Sequence, residues 1–102
     1  MNSGAFGPIA RIADHLDGKS NTWHHVDGAF GLWAAASPRY RHLVDGVERA
    51  DSWATDAHKW LNVGYDCGFV ACRDPEAQRA AMSTRAAYLI HENFGYYHVG
   101  IF

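Results

Sequence analysis

The sequence predicts an α/β fold in which helices layer on a sheet. Helix-period runs alternate with short β-prone runs along the chain, the pattern of sheet-and-helix layers. Two Pro-containing helix starts, Ser37-Pro38 and Asp74-Pro75-Glu76, punctuate that alternation. No internal repeat or low-complexity linker breaks it.

The elements follow in order. Pro8 suits the first turn of a helix, where a missing N–H costs nothing. Ile9, Ile12, Ala13 and Leu16 then keep the i, i+3, i+4, i+7 spacing of one buried face. Asp17-Gly18-Lys19-Ser20-Asn21 reads as a polar turn. Trp23 to Val26 reads as the first strand, with Asp27 at its C-terminal end. Ser37 and Pro38 form an N-cap and first-turn pair, and Tyr40, Leu43, Val44 and Val47 give a second amphipathic face. Ser52 to Thr55 is a short second strand and Gly68 to Cys72 a third. Asp74-Pro75-Glu76 opens a last helix that runs through Met82 or beyond.

Length and composition bound the function. A chain of 102 residues suggests one small domain at most. A domain of that size buries only some 60–70% of its unfolded surface, and a piece of a larger sheet leaves edges unpaired and apolar faces uncovered. The net charge of −2 gives no basic footprint for nucleic acid. No apolar run approaches the roughly 20 residues of a membrane span. The start, Met-Asn-Ser-Gly-Ala-Phe-Gly-Pro, has neither the basic nor the apolar region of a signal peptide. Cys67 and Cys72 are too few and too close for a disulfide scaffold and read as buried free thiols of a cytoplasmic protein.

Chemistry concentrates at two places. Lys59, one of two lysines, lies just past the second strand in Asp56-Ala57-His58-Lys59-Trp60-Leu61-Asn62. A lysine at the mouth of a sheet can form a Schiff base with an aldehyde, and such an amine needs a depressed pKa because only its neutral form attacks. An isolated lysine is more often a plain surface residue. The second place, 32 positions upstream, is His24-His25-Val26-Asp27-Gly28-Ala29-Phe30-Gly31. Asp-Gly alone reads as a turn, and Gly28-Ala29 lets the backbone pass close to something flat. In open α/β sheets ligands bind outside the carboxyl ends of strands. A carboxylate there can hold a cationic ring nitrogen through a charge-assisted hydrogen bond. A strand-end Asp with a later strand-end Lys matches the two protein groups expected around pyridoxal phosphate.

Val26-Asp27-Gly28-Ala29-Phe30-Gly31, Asp51-Ser52-Trp53-Ala54-Thr55-Asp56-Ala57-His58-Lys59-Trp60-Leu61-Asn62-Val63 and Tyr65-Asp66-Cys67-Gly68 together resemble the group II pyridoxal-phosphate-dependent amino-acid decarboxylases, the relatives of glutamate and aromatic amino-acid decarboxylases. The similarity runs from about Asn2 to Tyr88, and the lysine motif is its most specific part. The resemblance implies an aminotransferase-like (fold type I) large domain: a segment of a mostly parallel sheet with flanking helices, in which the strand after the lysine runs antiparallel. It implies a partial cofactor-binding domain over residues 1–88 and a divergent tail over 89–102. Relatives are several times longer, bind the cofactor between subunits and act as homodimers. The phosphate-binding loop, the stacking aromatic residue and the small domain of the family are expected to lie outside this stretch.

The resemblance also implies the roles. Lys59 would be the Schiff-base lysine for pyridoxal 5'-phosphate, Asp27 the partner that keeps the ring nitrogen protonated, and Ala29 the residue against the ring face. His58 would sit near the phosphate or the imine and help proton transfer. Asp56 falls on a phosphate-side position, where an anion is awkward. The substrate would be an amino acid losing its carboxyl group; aromatic, acidic and diamino acids all stay open. His24 and His25 alternate across a strand and cannot both face a site. His25 reads as a hydrogen-bonded support, and His24 as a polar residue where relatives carry an apolar one. Trp60 is expected to pack inward over the lysine loop, and Asp66 to brace it. Gly64, where relatives often have Pro, loosens that loop.

Two other classes compete. Seven histidines and eleven acids offer metal ligands, but His24-His25-x-Asp27 and Asp56-x-His58 match no closed zinc pattern and no Cys-x-x-Cys exists; no metal is expected. A non-catalytic remnant that needs a partner chain shares the family assignment and differs in biochemistry.

Overall fold

The computed structural model describes residues 3–83; the expected tail over 89–102 lies outside them. The elements are a helix α1 (Ile9–Leu16), strand β1 (His25–Asp27), strand β2 (Ser52–Asp56), a one-turn helix α2 (Ala57–Trp60), strand β3 (Gly68–Cys72) and helix α3 (Pro75–Met82). Between β1 and β2 the chain runs through three 3-10 segments, Leu32–Ala36, Arg41–Val44 and Val47–Arg49.

The strands form one mixed sheet in the order β1-β2-β3. β1 and β2 are parallel, with His25, Val26 and Asp27 opposite Ser52, Trp53 and Ala54. β3 is antiparallel to β2, from Ser52 opposite Cys72 to Asp56 opposite Gly68. The antiparallel return after the lysine is as the sequence resemblance implied.

The strand starts are tied by polar contacts. The His24 N–H donates to Asp51 Oδ2 at 2.7 Å, and the Asp51 N–H donates to the His24 carbonyl at 2.8 Å. The Ser52 hydroxyl meets Trp23 Nε1 and His25 Nδ1, each at 2.8 Å, so His25 is the hydrogen-bonded support that was expected. Arg73, at the end of β3, donates to the carbonyls of Ala50 and Glu48 and lies 5.9 Å from the Trp53 ring centroid. Asp74 caps α3: its Oδ1 accepts the N–H groups of Glu76 and Ala77 at 2.9 and 3.1 Å, and Pro75 follows at the first helical position.

Two expectations about the helices are corrected. The buried face of α1 does not include Ile12, which is exposed. The helix is seated through Ala13, as expected, and also through Ala10, because a Cβ on Gly46 would lie only 2.6 Å from the Ala10 Cα. That close approach selects the small-residue face and turns Ile12 outward. The second amphipathic helix, expected after Ser37-Pro38, is replaced by the 3-10 segments Arg41–Val44 and Val47–Arg49. Gly46 between them has φ +85°, a left-handed conformation through which a right-handed helix cannot continue. Of the face that the sequence suggested, Val44 is buried and Tyr40 is exposed.

The core of the described residues is thin. Its buried apolar members are Ala13, Val44, Ala50 and Ala57, and no large side chain is fully buried. Trp23, Trp60, Tyr65 and Met82 are among the large apolar side chains left exposed. His24 is buried, and its Nδ1 has no hydrogen-bond partner among the described residues, a cost that an apolar residue would avoid. Cys67 and Cys72 are free but only half-buried, not buried as expected.

Candidate active site at the carboxyl ends of two parallel strands

Parallel pairing brings the C-terminal ends of β1 and β2 to one edge of the sheet. Asp27 closes β1; Asp56 closes β2, and α2 starts at once with Ala57. Lys59 is therefore held within one turn of the sheet edge. Gly28 makes the junction tight: its N–H donates to the Ala54 carbonyl at 2.7 Å, and its carbonyl accepts the buried Thr55 hydroxyl at 3.1 Å. A Cβ at Gly28 would sit 2.5 Å from Leu32 Cβ and 3.1 Å from the Ala54 carbonyl oxygen. The close approach that requires a glycine here is therefore to Leu32 and the neighbouring strand.

Asp27 is exposed. Its Oδ1 accepts the Ala29 N–H at 3.1 Å, an Asx turn that fixes the carboxylate and sets half-buried Ala29 beside it. The other carboxylate oxygen makes no hydrogen bond among the described residues and can accept from a cationic donor.

Lys59 Nζ lies 2.5 Å from Asp56 Oδ2 and 4.7 Å from the centroid of the Phe30 ring. Its pKa is raised above the ordinary lysine value, chiefly by the hydrogen bond to Asp56. Partial desolvation opposes this, and the charges of Asp56, Asp27 and Tyr65 reinforce it. The sequence reading asked for a depressed pKa; the structure reverses it, because the acid at position 56 sits on the amine. Asp56 itself therefore faces Lys59 in this arrangement.

His58 faces the loop that follows α2. Its Nδ1 accepts the Cys67 N–H at 3.0 Å. The Cys67 carbonyl, 3.2 Å from the same nitrogen, accepts the Ala57 N–H at 2.9 Å. An amide N–H can only donate, so the neutral imidazole carries its proton on Nε2. The ring stacks on Tyr65 with centroids 4.2 Å apart. Trp60 is 62% exposed rather than packed inward, in a helix of a single turn. Asp66 is exposed and makes no hydrogen bond among the described residues, so it does not brace the loop.

The structure thus brings Asp27, Ala29, Asp56 and Lys59 to one sheet edge, with His58 on the adjoining turn. Sequence reasoning missed Phe30 and Tyr65, which flank Lys59 and His58. Phe30 had a signal: it lies in the same strand-to-turn segment as Asp27. A cavity of about 180 Å³ lined by Lys19, His24, Arg49 and Asp51 opens instead near the starts of the strands, and neither Asp27 nor Lys59 lines it. Among the described residues no three His, Cys, Asp or Glu side chains converge as metal ligands. No helix of the described residues is long and apolar enough to cross a membrane.

The pyridoxal-dependent decarboxylase conserved domain matches residues 1–101 of the chain. The chain belongs to the pyridoxal-dependent decarboxylase family. Tyrosine/DOPA decarboxylase 3 of Papaver somniferum is 39% identical over 83 residues, which are 81% of this chain and 15% of that protein. The fold agrees with solved members. The structure of Oryza sativa TDC with PLP and tryptamine superposes with a TM-score of 0.74 at 35% identity, over 86% of this chain and 18% of that one. Mouse CSAD in its apo form superposes at 0.72 with 34% identity, over 87% and 19%. The chain is an α/β segment of this fold type I family, and it spans only 15% of the length of the poppy relative.

The donor set fits the family's cofactor. A primary amine, which can react with an aldehyde, lies one turn past β2, and a carboxylate with an acceptor oxygen free among the described residues, which can hold a protonated ring nitrogen, ends the neighbouring β1.

Proposed function

We propose that this chain forms the cofactor-anchoring part of a pyridoxal-phosphate-dependent amino-acid decarboxylase. Lys59 is the covalent anchor for the aldehyde, and Asp27 is the partner of the ring nitrogen. The observation that carries the reading is their placement: Asp27 ends β1, and Lys59 lies in the single turn that follows the end of the parallel neighbour β2.

When bound, pyridoxal phosphate supplies an electron sink for the pair left at Cα as carbon dioxide departs. The chain's own residues do the rest. Asp27 would hold the ring nitrogen and favour its protonated form, as an adjacent opposite charge favours any cation. Its Asx turn with Ala29 fixes the carboxylate in advance, and Ala29 keeps the ring face clear because a methyl group is all it projects. His58 holds its proton on Nε2, the nitrogen not used to anchor the Cys67 loop, and can donate a hydrogen bond from it to a developing anion. Phe30 provides an aromatic wall beside the amine.

The substrate in this reading is an amino acid, met by surfaces that the cofactor-binding segment of residues 1–88 shares with the remainder of a full-length homodimer. Alone, the chain holds the cofactor and turns over little, because the core of its described residues is thin and its apolar faces are open. Titration of the chain with pyridoxal 5'-phosphate tests this. A visible absorbance band that forms with the wild-type chain and disappears in Lys59→Ala supports the reading. No band, or one that survives in Lys59→Ala, sinks it and leaves the non-catalytic remnant.

A further inference from the structure

The acid at the end of β2 has a consequence for the amine it touches. Asp56 and Lys59 are three residues apart across the strand-to-helix junction, and their side chains are 29% and 27% exposed for the lysine and the acid. The carboxylate oxygen is 2.5 Å from Nζ, and the Phe30 ring closes the other side at 4.7 Å. The charged or titratable groups that bear on Nζ are Asp56 from β2, Asp27 from β1 and Tyr65 from the loop after α2. All of them favour the ammonium form. An aromatic face does the same through its quadrupole.

We propose that Asp56 is a positioning residue that latches Lys59 in its ammonium form against Phe30 and so holds back aldehyde capture until the ion pair opens. The inference rests on the reading of Lys59 as the anchor amine. In capture, the nitrogen bonds to the carbonyl carbon and the carbonyl oxygen leaves as water with two of the ammonium hydrogens. The third is lost to solvent as a proton. The lone pair that makes the bond is absent while the ammonium proton is held, so an acid that stabilises the ion pair slows the step at neutral pH. An amide at position 56 would keep a hydrogen bond to Nζ and remove the charge. The latch is thus a property of this acid, not of the loop geometry.

The two lysines of the chain make the test internal. The full chain is labelled with trace acetic anhydride over a range of pH, and acetylation at Lys59 and Lys19 is read separately by mass spectrometry. Asp56→Asn is expected to raise Lys59 labelling several-fold near neutral pH and to move its pH profile downward, because the main charge favouring the ammonium is gone. Asp56→Glu is expected to restore a wild-type-like profile, and Lys19 labelling should stay the same in all three chains. Superimposable Lys59 profiles in wild type and Asp56→Asn would overturn the latch. So would an equal shift at Lys19, which would mark a general loss of structure. The anhydride needs no cofactor, so this outcome is separate from whether pyridoxal phosphate binds.

Discussion

Asp27 stands opposite Ala54 across the parallel pair of β1 and β2. Two residues past Ala54 the strand ends at Asp56, and the turn that follows carries Lys59. This register delivers the carboxylate and the amine to one sheet edge. The Gly28 N–H to the Ala54 carbonyl, 2.7 Å long, extends the ladder one step beyond Asp27 and locks it.

Replacing Asp27 should damage cofactor binding and spare the fold. The residue is exposed and accepts one hydrogen bond, from Ala29, among the described residues. A hydrogen bond to a charged group contributes about 1.5–3 kcal/mol, so Asp27→Asn is expected to weaken pyridoxal-phosphate affinity by roughly tenfold or more. Absorbance titration reads the affinity, and far-UV circular dichroism should be unchanged. Equal affinity in the variant would remove Asp27 from the site.

Gly46 should be hard to replace. Its φ is +85°, and an added Cβ would lie 2.6 Å from the backbone of Ala10. Gly46→Ala is expected to destabilise the chain by about 1–3 kcal/mol, from backbone strain and overpacking against α1. Urea denaturation measures it, and a change within about 0.5 kcal/mol, the range of an ordinary surface substitution, would show that α1 is not seated there.

Asp74→Ala should cost about 1 kcal/mol, the usual loss for an N-cap. Its carboxylate holds two N–H groups at the start of α3. The same denaturation experiment reads this loss, and an Asp74→Ser chain should recover most of it. A stable Asp74→Ala chain would mean that α3 is not held by its cap.

The Asp56–Lys59 pair should leave a small signature in alkali. The amine's folded pKa lies above its ordinary value of 10.5. A raised folded pKa contributes stability that is full below the unfolded value and is lost as pH rises through the folded one. Wild type should therefore exceed Asp56→Asn in denaturation midpoint at neutral pH. The gap should close above pH 10.5. It is modest because the pair is partly exposed and screened. A gap that persists unchanged in strong alkali would show that the amine's charge is not its source.

Much of this was legible in residue order, and the remainder fails for identifiable reasons. The existence of the three strands, the cap at Asp74 and the placement of Asp27 and Lys59 follow from short local signals that the tertiary structure does not oppose, although the first strand covers His25–Asp27 and not Trp23 to Val26. The helix expected at Tyr40, Leu43, Val44 and Val47 had the right spacing, but the left-handed Gly46 inside it decides the outcome. Ile12 alone leaves the expected face of α1, because nothing in the helix's own sequence reveals the glycine beneath Ala10. The sign of the Lys59 shift was misread because the sequence places Asp56 three residues away without saying that the side chains meet. Trp60 was misplaced because a one-turn helix has no second turn to fix its facing.

Borohydride reduction of the chain mixed with pyridoxal 5'-phosphate, followed by peptide mass mapping, tests the central claim most directly. The account predicts a pyridoxyl group on Lys59. Finding it on Lys19, or on neither lysine, would contradict it.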